Sequence, residues 1–185
     1  MYLKRHYDND LAKKVLLKLE ELKLINDKEY AIMMVDVYKK KGYGIKKVIN
    51  ELKSLDINDE YIFDALKNYS LAEMLENCEK AFVKYLPSLK KESKQASKKK
   101  LVNYLVSRGF DNDTIAIVIQ NNSDKLDNIS NEDELLYKAY NKLLKTKKDT
   151  IDEKKFKNKV IRSLTNKGFP LYKVLKVLEG DVNYD

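Results

Sequence analysis

Lys99–Ile119 reads KKLVNYLVSRGFDNDTIAIVI, and this stretch decides the fold. Its apolar residues fall three to five apart, the spacing of one helical face, and the run is interrupted at Arg108-Gly109-Phe110. Glycine there suits the left-handed conformation that closes a helix, Phe110 is placed to plug the corner, and Asp111 is suited to cap the next helix. The stretch is therefore two helices joined by a tight corner.

The same pattern occurs twice more without a gap: Lys46–Leu66 (KKVINELKSLDINDEYIFDAL) and Asn158–Leu178 (NKVIRSLTNKGFPLYKVLKVL), at offsets of 53 and 59 residues. Apolar columns recur at Val48/Leu101/Val160, Leu52/Leu105/Leu164, Ile57/Phe110/Phe169 and Ile62/Ile115/Val174. Asn58 takes the capping place of Asp111, Pro170 suits the opening turn of the third copy, and Asp56 stands where later copies have glycine. A further helix precedes each pair, within Glu29–Tyr38, Leu71–Tyr85 and Glu134–Leu144, carrying the aligned Ala31, Ala81 and Ala139. Ser70 with Glu73 and Thr150 with Glu153 have capping-box spacing.

The expected fold is all-α, with tandem three-helix repeats in an elongated, curved array. The expected units are a partial repeat over 1–27, then repeats over 28–69, 70–128 and 129–185. Arg5-His6-Tyr7-Asp8-Asn9-Asp10 matches Arg108–Asp113, so the chain begins inside a repeat.

The rest of the composition agrees. Five glycines and two prolines in 185 residues leave little punctuation for strands. No stretch approaches the roughly 18 apolar residues of a membrane span and no leader precedes the first helix, so a soluble, cytoplasmic, monomeric protein is expected. One cysteine, Cys78, and one histidine, His6, provide neither a disulfide nor a conventional transition-metal site nor a histidine-based triad. No metal, cofactor or enzymatic activity is expected.

A formal charge of +8 points to an anionic partner. Only Arg5, Arg108 and Arg162 are arginines among 37 basic residues, which weakens a reading as specific phosphate or base recognition. The lysines cluster between the first and second helices of each unit: Lys39, Lys40, Lys41, Lys46 and Lys47; Lys90, Lys94 and Lys98; Lys155 with its neighbours. Stacked units would align these clusters into a stripe, and Lys90, Lys94 and Lys98, four residues apart, would share a face if helical. Tyr43, in Gly42-Tyr43-Gly44, could stack or hydrogen-bond beside a phosphate, or belong to a plain interhelix turn; the motif is no Walker sequence. These ten residues are the candidate contact surface. Most of the thirteen tyrosines read as half-buried packing residues.

Leu24-Ile25-Asn26-Asp27-Lys28-Glu29-Tyr30-Ala31, then Gly42-Tyr43-Gly44-Ile45 and Val48-Ile49-Asn50-Glu51-Leu52, together resemble the RecX regulatory protein family, as do the corners at Leu105–Phe110 and Leu164–Phe169. Asp56 departs from the family's glycine, and the amino-terminal unit lacks its opening helix. The resemblance implies a helical body lying in the groove of a RecA filament on single-stranded DNA and restraining its ATPase, strand-exchange and coprotease activities. DNA phosphates, on single or double strands, would be a second contact. The residues leave two other classes open: a stand-alone DNA-binding helical-repeat protein and a scaffold for another protein.

Overall fold

A computed structural model describes residues 9–22, 25–147 and 152–180. The expected corner at Arg5–Asp8 and the capping residue Thr150 lie outside the described residues, as does Leu24. Among the described residues the chain is helical and without strands. In order it forms α1 (Asn9–Glu21), α2 (Asp27–Lys40), α3 (Ile45–Ser54), α4 (Asp59–Leu66) and α5 (Leu71–Tyr85), followed by a 3-10 turn (Leu86–Leu89). Then come α6 (Lys94–Ser107), α7 (Asn112–Asn121), the short α8 (Ser123–Asp127), α9 (Glu132–Leu144), α10 (Glu153–Asn166) and α11 (Leu171–Glu179).

Helix starts follow capping chemistry. Asn26, Asn58, Asp111 and Asn131 each accept a backbone amide of the first turn, and Ser70 with Glu73 forms the expected capping box. Asp152 caps α10 by accepting from the Lys154 amide. The corners take the expected backbone: φ is +89° at Gly109 and +84° at Gly168, and Asp56 holds the same region at +60°.

Behind each corner the first apolar residue is buried, as Ile57, Phe110 or Phe169. The aligned columns Val48/Leu101/Val160 and Leu52/Leu105/Leu164 are fully buried, each large side chain contributing roughly 1.5–3 kcal/mol. Cys78 is buried among them, and desolvation pushes its thiol up to about 12, so it packs as a small hydrophobe. The first two full repeats share one continuous core, from Ala31 to Leu126, whereas the third has a separate core from Leu136 to Val177.

Candidate partner interface and the seams that shape it

The second and third repeats each seat their corner on the start of the preceding repeat's second helix. At the first seam the Gly44 amide donates to the Arg108 carbonyl at 2.9 Å, and the Lys46 amide donates to the Gly109 carbonyl at 3.0 Å. These are amides that a helix start leaves without internal partners. A Cβ on Gly109 would lie 2.4 Å from the Lys47 nitrogen, and one on Gly44 would lie 2.3 Å from the Gly109 oxygen. The Arg108 guanidinium donates to the Lys41 and Gly42 carbonyls at 2.8 and 2.9 Å and lies 4.0 Å from the centre of the Tyr43 ring. The Gly42-Tyr43-Gly44 turn is thus the seat of a neighbouring repeat, which takes the Gly44 and Lys46 amides, and Tyr43 carries the arginine on one face.

At the second seam the Ser93 hydroxyl, which caps α6, donates to the Lys167 carbonyl at 2.7 Å. A Cβ on Gly168 would come within 2.7 Å of that hydroxyl oxygen. Glu132, on the first turn of α9 and almost fully buried, accepts from the Lys94 amide at 3.1 Å and pairs with Lys173 at 3.1 Å. Lys173 also pairs with Asp133 at 2.6 Å, and these two acids raise its pKa against the opposing effect of burial.

The ten candidate residues divide accordingly. Lys39 is committed to the first seam: its ammonium pairs with Glu73 at 3.0 Å and donates to the Asn68 carbonyl at 3.1 Å. That ammonium, with hydrogen bonds from Ser70, holds the Glu73 carboxyl down at about 2. Lys41 is exposed, with its ammonium 5.7 Å from the Tyr38 ring. Lys40, Lys46, Lys90, Lys98 and Lys155 are exposed and Lys47 half-buried, and none has an acid partner among the described residues. Lys94 is exposed and only 3.8 Å from Asp127. The one-face expectation for Lys90, Lys94 and Lys98 fails at its first member. Ser93 starts α6 only at Lys94, so Lys90 lies ahead of the helix, after the 3-10 turn.

The placement of Lys46, Lys47 and Lys94 runs against helix electrostatics. A helix start carries partial positive charge and prefers acids. The first turns of α2, α4 and α9 carry acids, whereas those of α3 and α6 carry lysines and none. These lysine side chains, seldom paired with acids, form a positive surface whose natural complement is an anion. Among the described residues no group of three His, Cys, Asp or Glu side chains could hold a metal ion, and no helix is long and apolar enough to cross a membrane.

The family model for the third three-helix domain of RecX matches residues 72–119, the middle repeat and its corner. A regulatory protein RecX of Bacillus cereus is 30% identical over 172 residues, covering 91% of this chain and 62% of the relative. The chain belongs to the RecX family. The regulatory protein RecX of Leuconostoc mesenteroides is 32% identical over 145 residues, 74% of this chain and 54% of the relative. The chain thus spans roughly half to three-fifths of these RecX proteins' own length. No solved structure matches it.

Arg108, Ser93, Glu132 and Lys173 were not legible as seam residues. Arg108 offered one signal, being among only three arginines. Ser93 and Glu132 sit 74 and 41 residues from the partners they meet, Lys167 and Lys173.

Proposed function

We propose that this RecX-family chain is a regulator without catalytic chemistry, which binds the RecA filament on single-stranded DNA and restrains it by occupancy. Family membership across 91% of the chain carries this reading. The exposed lysines at the starts of α3 and α6 support it, because an assembled nucleoprotein filament presents both acidic protein surface and phosphates. Lys40, Lys41, Lys46, Lys47, Lys94 and Lys98 are the contacts on this reading, with Lys90 and Lys155 flanking them. Lys39 and Tyr43 support the surface from behind.

The deciding experiment is RecA ATPase on single-stranded DNA with substoichiometric protein. The expected result is inhibition that falls with added salt, and a charge-reversed Lys46→Glu/Lys47→Glu/Lys94→Glu/Lys98→Glu protein should inhibit less and show a flatter salt dependence. No inhibition would remove the filament reading. Tight duplex binding in the absence of RecA would instead favour a stand-alone DNA-binding protein. The last helix of the middle repeat argues against that, since α7 exposes Asn112, Asp113 and Ile117 and offers no arginine or lysine for base edges.

A further inference from the structure

The middle repeat carries a cleft that its neighbours' sequences would fill. It has a volume of about 500 Å³ and lies between α6 and α7, lined by Val102, Ile115, Ala116 and Ile119, with Lys98 and Asn112 at its rim. Ala116 occupies the column held by Phe63 in the first repeat and Leu175 in the third. Phe63 is 67% exposed and Leu175 38% exposed, so this column points outward in both copies. Replacing either bulk with a methyl group opens the depression, while Val102 and Ile119 stay half-buried as its apolar wall. A cleft of this volume, on the scale of small-ligand pockets, has room for a large side chain.

The charges around the cleft are one-sided. On the α6 rim Lys98 is exposed without an acid partner, as is Lys99 next to it in sequence, while Asp111 is engaged by the Thr114 amide and hydroxyl and Asp127 faces Lys94. Across the cleft the lining residue is the neutral Asn112, and Asp113, next in sequence, is exposed. We infer that this cleft is a docking pocket for a single large apolar side chain carried by an acidic peptide segment of a partner protein. The guest lies with a carboxylate toward Lys98 and its apolar anchor between Val102 and Ile119. This surface goes beyond the filament reading and stands without it.

The test uses the whole chain and three fluorescein-labelled peptides: one Phe flanked by Glu, the same peptide with Ala for Phe, and the same with Lys for Glu. In fluorescence anisotropy the Phe/Glu peptide should bind saturably and about tenfold more tightly than either control, the scale expected for burying one aromatic side chain. Ala116→Phe, which installs the first repeat's residue, should abolish that binding with helix content and melting unchanged. Lys98→Glu should weaken it several-fold. Ala116→Leu, the third repeat's residue, repeats the blockade should the larger ring disturb melting. Equal binding of the Phe and Ala peptides overturns the pocket, equal binding of the Glu and Lys peptides overturns the acidic guest, and undiminished binding to both Ala116 variants overturns the site. No RecA is present, so this inference and the filament reading fail separately.

Discussion

The two seams solve one docking problem with different chemistry. In both, the corner glycine approaches the third residue of the receiving helix, Lys47 of α3 or Ala96 of α6. At the first seam the corner contact is backbone to backbone, with glycine on both sides and the Arg108 guanidinium reinforcing it, and the two repeats share one core. At the second it runs through side chains, the Ser93 hydroxyl on the Lys167 carbonyl and the Glu132 carboxylate on the Lys94 amide, between separate cores. Backbone contacts of this closeness tolerate no added atom. A seam of single side-chain hydrogen bonds between separate cores ties its partners less firmly, so the third repeat is the more separable part of the array.

The largest expected effect comes from breaking the first seam at its closest point. Gly109→Ala adds a Cβ 2.4 Å from a backbone nitrogen at a φ of +89°, and should cost about 3 kcal/mol in urea unfolding. Gly168→Ala meets a rotatable hydroxyl first and should cost less. Equal losses would erase the distinction between the seams.

Arg108→Ala removes two carbonyl contacts and the stacking on Tyr43 and should destabilise by about 2 kcal/mol. Arg108→Lys should recover little of this, because an ammonium lacks the planar fork.

At the second seam, Glu132→Gln keeps a hydrogen-bond acceptor near the Lys94 amide but removes the charge facing Lys173, a loss of about 1 kcal/mol. Hydrogen exchange should accelerate in α9–α11 and leave α2–α4 unchanged; acceleration throughout would mean that the repeats unfold as one unit.

The smallest effect is on acid stability. The Glu73 carboxyl is depressed from 4.5 to about 2 in the folded chain. Its contribution is therefore complete above pH 4.5 and is lost as pH falls toward 2. Glu73→Gln should flatten the acid limb of a thermal-melting profile over that window. An unchanged limb would show that the Lys39 tie does not hold the first seam in acid.

The glycine column shows how the repeats were legible and the seams were not. Gly109 and Gly168 were readable as helix corners because a left-handed residue is a local requirement. Their second duty, admitting a neighbouring helix start, depends on a residue 62 or more positions away. Asp56 separates the two duties: it adopts the left-handed backbone at φ +60° yet remains exposed. The lysines divide likewise. Their clustering was visible in the chain, but only the fold distinguishes Lys39, engaged by Glu73 and Asn68, from the exposed and unpaired Lys46.

The sequence by itself determined the paired helices, the caps at Asn58, Ser70 and Asp111, the corners and the repeated apolar columns, because periodicity and capping act over a few residues. It also carried the RecX resemblance, in the order of those corners. The tertiary structure alone decided that the Gly42-Tyr43-Gly44 turn receives Arg108, that Glu132 joins α6 to α11, and that Ala116 opens a cleft. Those outcomes depend on which surfaces meet once the helices stack, and contacts between residues tens of positions apart leave no spacing pattern in the chain.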